Sequence, residues 1–180
     1  MRTSWLALLL LLAACQAPVV PGSPEACQVE HLETLPLRVS AGMWLVDVRI
    51  DGKPAAMVLD TGANGSALFD HAVQRLKTPV ADGTFVVVGM DGAAIRRAVS
   101  VGTLTLGTQV PASLTLPELD GMKSGRLPYD GLLGMDVLGQ YDIGVHGPSD
   151  TLILYRGRTC AAGPPPFPDA HPMPKIDDRG

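Results

Sequence analysis

The chain has 180 residues, with 14 Lys and Arg against 18 Asp and Glu, so its formal net charge is −4. This mildly acidic balance supplies no basic stripe and argues against a nucleic-acid partner. With 46% hydrophobic residues, the chain is long enough to bury one globular core.

An apolar run lies near the N-terminus, where Trp5 to Ala14 follows a single positive residue, Arg2. The run is too short to cross a bilayer as a helix and has the length of a signal-peptide core. It ends in Leu12-Ala13-Ala14-Cys15, which resembles the lipobox of bacterial lipoproteins. That resemblance implies cleavage after residue 14 and acylation of Cys15. An ordinary secretory signal with a chance cysteine is the alternative.

These features divide the chain. We expect residues 1–14 to be a lipoprotein signal peptide and residues 15–27, rich in proline, to be a flexible tether. Residues 161–180 hold six prolines and are expected to be a disordered tail. Residues 28–160 then form one domain. Gln16 after the cysteine implies, by the same resemblance, a periplasmic protein anchored to the outer membrane through its lipid.

Two cysteines remain once Cys15 carries lipid, namely Cys27 and Cys160. An even pair in an oxidising compartment favours a disulfide, which would join the two ends of the domain. Two unrelated thiols are the alternative. The histidines show no short ligand spacing, so neither a metal nor another cofactor is expected. They are His31, His71, His146 and His171.

The first predicted elements are a hairpin and a helix. Val46–Ile50 alternates apolar and polar residues, and Asp51-Gly52 predicts a hairpin turn into a second strand, Ala55–Leu59. Pro54 is tolerated at the start of that strand. Apolar residues at helical spacing between Phe69 and Leu76 then predict one short amphipathic helix.

The remaining pattern is also mostly β. It predicts a hairpin of Thr84–Val88 with Ala93–Val101, short strands from residue 104 to 116, and a loop at Asp120–Pro128. A helical turn through Leu138 and a last hairpin, residues 141–145 with 151–155, follow. Many short strands with one or two helical turns indicate a small closed or sandwiched β domain.

The sequence Asp60-Thr61-Gly62-Ala63 stands out within this pattern, and it occurs once. It follows the apolar residues Met57-Val58-Leu59, which places a carboxylate at the end of a strand in a tight turn. The alternative is an ordinary turn, because Asp and Gly dominate turns in general. No Gly-x-Ser-x-Gly elbow surrounds Ser66, so acyl-enzyme chemistry lacks a nucleophile.

With the later segment Asp130–Leu138, this turn makes the chain resemble the bacterial, single-domain retropepsin-like aspartic proteases over about residues 37–155. The resemblance implies an all-β fold, a small closed acid-protease barrel with one or two short helices. It also implies a catalytic Asp60 that pairs with the Asp60 of a second copy, so that two carboxylates share one proton. An enzyme with one such aspartate must therefore be a homodimer.

The resemblance assigns roles to the neighbours of Asp60. Thr61 would hydrogen-bond across the dyad, Gly62 would allow a close backbone approach and a positive φ, and Ala63 would leave room for substrate. A supporting segment would pass beside the catalytic turn. It consists of Leu132, Leu133 and Gly134.

Further expectations concern the substrate cleft. The hairpin around Val86–Gly92 is a candidate flap with Gly89 and Gly92 as hinges, and an ordinary core hairpin is the equal alternative. Apolar subsite walls are expected from residues such as Leu68, Val87 and Leu132.

Three acids after the flap are expected to be structural and not catalytic. They are Asp130, Asp136 and Asp142. Asp136 is expected to cap a helix or to touch the second subunit. His146 stands where relatives often carry an acid, so the last turn is expected to be held differently.

The function predicted from the sequence is an aspartic endopeptidase acting on peptides or proteins as a lipid-anchored homodimer. The alternative is a non-catalytic periplasmic lipoprotein that keeps the fold and serves as a binding or assembly module. A protease that dimerises only on the membrane is a third possibility, because tethering raises the local concentration.

Overall fold

The computed structural model describes residues 28–89, 92–110, 113–121 and 127–158. Within these ranges, strands dominate, with two short helices and one 3-10 turn at Gly147–Ser149. The strands are β1 (Gln28–Ser40), β2 (Met43–Ile50), β3 (Lys53–Leu59), β4 (Ala67–Phe69), β5 (Val80–Gly89), β6 (Gly92–Val101), β7 (Leu104–Thr105), β8 (Leu114–Leu119), β9 (Gly131–Leu133), β10 (Asp142–His146) and β11 (Thr151–Arg158). The helices are α1 (Asp70–Leu76) and α2 (Met135–Leu138). No helix in the described ranges has the length and hydropathy needed to cross a membrane.

The predicted hairpins and the predicted helix are confirmed, whereas the predicted loop at Asp120–Pro128 lies partly outside the described residues. The hairpin of β2 and β3 turns at Asp51 and Gly52. Both residues adopt positive φ, as the type I′ turn of a two-residue hairpin loop requires. Pro54 lies near the start of β3 opposite Arg49. Helix α1 buries Ala72, Val73 and Leu76 on one face.

The sheet is not closed into a barrel, and this part of the fold prediction is wrong. The strands follow the order β10-β11-β1-β2-β3-β9-β4-β8-β6-β5, with β7 paired to β2. Among the described residues, β10 pairs only with β11 and β5 only with β6, so both ends of the order stay open. Closure would need these two end strands to pair, and β5 instead continues with β6 into an exposed hairpin.

Strand β1 joins the two halves of the sheet and was not predicted. Residues 28–36 pair with β11, and residues 37–40 pair with β2. A register shift between His31 and Glu33 bends the strand within its first half. Two hydrogen bonds from Thr108 secure Glu33 to the turn after β7, and they hold the pKa of the Glu33 carboxyl below its usual range.

The main core lies between the sheet and the helices. Leu133 of β9 and Val137 of α2 are fully buried in it, so the segment that follows Asp130 is part of the core. Burial of a side chain of this size stabilises a fold by about 1.5–3 kcal/mol. A smaller cluster of Leu45, Val58 and Tyr129 lies outside the main core. Strands β3 and β9 are therefore packed on both faces and form a rigid base for the turn at residue 60.

Candidate active site

The turn at Asp60 begins where β3 ends. The Asp60 backbone N–H donates to the carbonyl of Leu133 at 3.1 Å, which extends the pairing of β3 with β9 by one residue. The Oδ1 atom of Asp60 accepts hydrogen bonds from the N–H groups of Gly62 at 3.0 Å and Ala63 at 3.1 Å. The carboxylate therefore folds back over its own turn, as Asp side chains commonly do.

The other carboxylate oxygen of Asp60 has no partner in the described part of the chain. Asp60 forms no ion pair there, and its side chain is half-buried. The Thr61 hydroxyl also donates to no described residue, and Thr61 is exposed. The turn thus presents one carboxylate oxygen and one hydroxyl that are free to meet a substrate or a second chain.

Gly62 does not have the positive φ predicted for it. Its φ is not in the left-handed region, in contrast to five other glycines in the described ranges. A Cβ at this position would lie 3.4 Å from Asp60 Oδ1. This distance is an ordinary van der Waals contact, so within the described part of the chain neither φ nor space requires a glycine here, and the expected positive φ is wrong.

Strand β9 fits tightly between β3 and β4. It is parallel to β3, with Val58 opposite Leu132, and antiparallel to β4, with Leu68 opposite Gly131. A Cβ on Gly131 would lie 2.2 Å from the carbonyl oxygen of Ala67. Leu132 and Leu133 therefore lie beside the Asp60 turn as predicted.

A buried serine connects the Asp60 turn region to α2. The Ser66 hydroxyl donates to Asp136 Oδ1 at 2.6 Å and accepts the N–H of Gly134 at 2.9 Å. The Ser66 N–H donates to the same Asp136 oxygen at 2.9 Å, and the Met135 N–H donates to the carbonyl of Ala63 at 2.9 Å. These bonds fix the start of α2 against the Asp60 turn.

Sequence reasoning missed Ser66, because one serine in a polar turn carries no signal of its partner 70 residues away. It also gave Asp136 a capping role. The residue at the N-cap of α2 is Gly134, with no side-chain cap, and Asp136 lies in the first helical turn. Asp136 therefore accepts hydrogen bonds from Ser66 and from the N–H of Val137 in the first helical turn. It is not the N-cap residue, so the capping prediction is wrong, and a contact with a second subunit stays a prediction.

The other acids near the site are held by structural partners. Asp130 accepts the N–H of Ala56 at 2.8 Å and pairs with Arg75 at 2.8 Å. Asp142 accepts the N–H of Gly157 at 2.8 Å. The expectation that these acids are structural agrees with their contacts, and Asp60 is left as the acid with a free oxygen at the end of a central strand.

The predicted subsite walls divide into two groups. Leu68 is fully buried in the core, so it cannot contact a substrate and this prediction is wrong. Leu132 and Val87 are each partly exposed and remain available.

The candidate flap is a real hairpin, because β5 pairs with β6 up to Gly89 opposite Gly92. These two glycines lie at its tip and not at its base, so the prediction that they are hinges is wrong. Residues 90 and 91 between them lie outside the described ranges.

At the last hairpin, His146 contacts residues of its own turn, and the prediction that relatives hold this turn differently stays a prediction. Its Nδ1 lies 2.6 Å from Ser149 Oγ, which in turn lies 2.9 Å from Thr151 Oγ1. No acid takes part in these contacts.

Several predictions fall outside the described residues. They are the signal peptide 1–14, the lipid anchor Cys15, the tether 15–27, the disulfide of Cys27 and Cys160, and the tail 161–180. In the described ranges, no three His, Cys, Asp or Glu side chains are grouped as metal ligands.

Comparisons with known proteins show the family of the chain. A family model described as aspartyl protease matches residues 46–137, from β2 through the Asp60 turn to α2. A crystal structure of a retropepsin-like aspartic protease from Rickettsia conorii is 18% identical and has a TM-score of 0.47, over 73% of this chain and 94% of that one. The retroviral protease-like domain of Ddi1 from Leishmania major is 15% identical, with a TM-score of 0.43, over 68% of this chain and 97% of that one. No curated protein matches the chain. Because the family model spans more than half of the 180 residues, the chain belongs to the aspartyl protease family.

Proposed function

We propose that this protein is an aspartic endopeptidase that hydrolyses peptide bonds as a homodimer, with one Asp60 from each subunit. The observation that carries the proposal is the state of the Asp60 carboxylate. One of its oxygens is held by two backbone N–H groups, and the other has no partner among the described residues. A carboxylate that is oriented and half free is suited to bind a water molecule or a second carboxyl group.

The need for a second subunit follows from the chemistry. Hydrolysis requires one group to take a proton from water and another to protonate the carbonyl oxygen of the peptide. Two carboxyl groups that share one proton supply both, since their mutual repulsion keeps one protonated. Asp130 and Asp136 are both held by structural partners in this chain, so the second group is assigned to the partner copy.

In the proposed reaction, the ionised carboxylate removes a proton from a water molecule, whose oxygen attacks the peptide carbonyl carbon. The protonated carboxyl group gives its proton to the carbonyl oxygen, and a tetrahedral intermediate forms. Proton transfer to the amide nitrogen then releases the amine product. The pair of Asp60 groups titrates as a unit, which gives a bell-shaped dependence of rate on pH.

The proposed substrate is an extended peptide or protein segment. The family supports this class, and the partly exposed Leu132 and Val87 would contribute apolar contacts on either side of the site. A preference for apolar side chains around the cleaved bond is therefore expected.

The dimer is tested by the dependence of cleavage on protein concentration. With a mixed peptide library as substrate, the rate is expected to rise with the square of protein concentration when dilute and linearly when concentrated. Added D60N subunits provide the sharper test. In an equal mixture, about half of the active subunits are expected to lie in mixed dimers and to lose activity, if subunits exchange freely. A strictly linear rate from a protein that sediments as a monomer would exclude the homodimer.

We also propose that the mature protein is tethered to the bacterial outer membrane, facing the periplasm, by lipid on Cys15. The lipobox-like Leu12-Ala13-Ala14-Cys15 and the proline-rich residues 15–27 support this assignment. The Cys15→Ser variant is expected to move from the membrane fraction to the soluble fraction of cells and to lose incorporation of labelled fatty acid. Cys27→Ser is the matched control and should stay with the membrane. Labelled, membrane-bound C15S protein would contradict the proposal.

A further inference from the structure

The hairpin of β5 and β6 extends beyond the body of the protein. Its outer part, Thr84–Gly89 with Gly92–Arg97, is called the arm below. Val86, Val88 and Ile95 of the arm are 71–76% exposed, whereas Val99 and Val101 at the base of β6 are fully buried. Apolar residues with so much exposure have left the core, so the arm is attached to the body mainly through its base.

An irregularity in β5 separates the arm from the base. Val80 pairs with Val99, but the next pair is Thr84 with Arg97, so three residues of β5 stand opposite the single Ala98 of β6. Gly83, the last of the three, has a φ of 95°. Extra residues in one strand of an antiparallel pair bend and twist it locally. The bend point of the hairpin is therefore Ala81–Gly83, at the base.

Two ion pairs lie beside this point, on β6. Arg97 approaches Glu118 Oε2 with Nε at 2.6 Å and with Nη2 at 2.5 Å. Arg96 approaches Asp120 with Nη1 at 3.2 Å from Oδ2. Because neighbouring residues of a strand point to opposite faces, the side chains of Arg96 and Arg97 leave β6 on opposite faces. Each pair joins β6 to an acid in residues 118–120.

Glu118, the partner of Arg97, belongs to the rigid part of the sheet, whereas Asp120 follows the end of β8. Glu118 of β8 is paired with Leu68 of β4, and Leu68 is paired with Gly131 of β9, the strand that lies beside β3 and Asp60. The Glu118 side chain is only 12% exposed, so its position is fixed by packing. Through Glu118, the arm is thus attached to the same set of paired strands that holds the Asp60 turn.

We propose that Arg96 and Arg97 are positioning residues that hold the arm at a set angle to the Asp60 turn, and that Ala81–Gly83 is the hinge about which the arm swings when these pairs break. The inference rests on the proposed function, because it takes the arm to be the part of the protein that covers the bound peptide. Movement of the arm would admit substrate, and re-formation of the ion pairs would return the arm to the orientation needed for cleavage.

The competing explanation is that these are ordinary surface ion pairs, which contribute little. The burial of Glu118 distinguishes the two explanations. Removal of Arg97 leaves a carboxylate with little access to water and no cation, whereas an exposed pair such as Arg38 with Asp47 loses almost nothing. Arg38→Ala is therefore the matched control.

The first test measures amide hydrogen exchange in the full-length protein purified in detergent. In Arg97→Ala, exchange of the arm amides is expected to rise about tenfold, while that of β1 and β2 stays unchanged. Arg97→Lys should show a smaller rise, since lysine lacks the two-donor fork. The charge-exchanged variant R97E/E118R should restore part of the protection. If Arg97→Ala prevents folding, Glu118→Gln carries the same test.

The hinge is tested separately by Gly83→Ala. A Cβ there would meet no atom within 4 Å, so the variant changes only the backbone preference at a positive φ. Gly52→Ala is matched, because its φ is also positive and its surroundings are equally open. We expect the G83A substitution to alter arm exchange several-fold and G52A to leave it as in the wild type.

The kinetic test measures KM and kcat separately. Loss of Arg97 is expected to raise KM several-fold and to change kcat less, and raised salt should reproduce the effect in the wild type because it screens the pairs. Unchanged arm exchange in both R97A and R96A, relative to R38A, would overturn the inference. If amide exchange in the arm rises in R97A but the wild type cleaves no peptide, the inference about the arm stands and the proposed protease function is refuted.

Discussion

The Asp60→Asn variant is expected to cleave peptides at least about a thousandfold more slowly than the wild type while keeping its fold. The carboxamide oxygen can still accept the N–H groups of Gly62 and Ala63, so the turn should be preserved. The amide can neither accept a proton from water nor share one with a partner carboxyl group. Activity is measured on a peptide library at a concentration where the wild type is dimeric, and folding is measured by thermal unfolding.

The control for this variant is Asp142→Asn, a change of the same kind at an acid whose side chain accepts the N–H of Gly157. Its carboxamide oxygen can still accept that bond, and we expect wild-type activity. Cleavage by D60N at the wild-type rate would refute the assignment of Asp60. A wild type that is inert at every concentration, on and off membranes, would favour the non-catalytic binding module.

The parts of the fold that could be predicted are those fixed by neighbours in sequence. The turn at Asp51-Gly52 and the alternation in β2 are local signals, and the structure confirms the hairpin they predict. The same holds for α1, whose buried face follows helical spacing. These elements need no knowledge of distant contacts, because turn chemistry and periodicity determine them.

The parts that could not be predicted depend on which strands pair at a distance. Strand β1 changes partner from β11 to β2 near residue 37, and no pattern in its own residues indicates this. The open sheet has the same origin, since closure depends on whether β10 meets β5. The hinge at Ala81–Gly83 was missed because a bulge is defined by the register of two strands, and the sequence of one strand does not contain it.

The candidate site shows the same division. Asp60 and its turn were found because the residues are contiguous, and the segment Leu132–Gly134 was found through its resemblance to a family. The bond from Ser66 to Asp136 was missed, because its members are 70 residues apart and each looks like an ordinary polar residue. Leu68 was assigned to the cleft because its apolar side chain gives no indication of which face of β4 it lies on.

Gly134→Ala is expected to be strongly destabilising, although it leaves every functional side chain in place. A Cβ there would lie 2.4 Å from the carbonyl carbon of Gly65 and 2.8 Å from the nitrogen of Ser66. Both are backbone atoms of a tight turn, so neither rotation nor a small shift relieves the clash. The start of α2 must move away from the Ser66 turn, which weakens the Ser66–Asp136 bonds. We expect a loss of about 3 kcal/mol in the free energy of unfolding, at the upper end for overpacking.

Gly134→Ala is expected to lose peptide-cleaving activity even at a low temperature where the variant stays folded. The reason is that the Met135 N–H is bonded to the carbonyl of Ala63 in the Asp60 turn. Moving α2 therefore moves the turn that holds Asp60. Gly144→Ala in β10 is the control, since a Cβ there would lie at an ordinary 3.4 Å from the Tyr155 ring. Thermal unfolding and cleavage are compared for the two variants at a temperature where both are folded. Equal stability and equal activity in the two would mean that α2 does not position the catalytic turn.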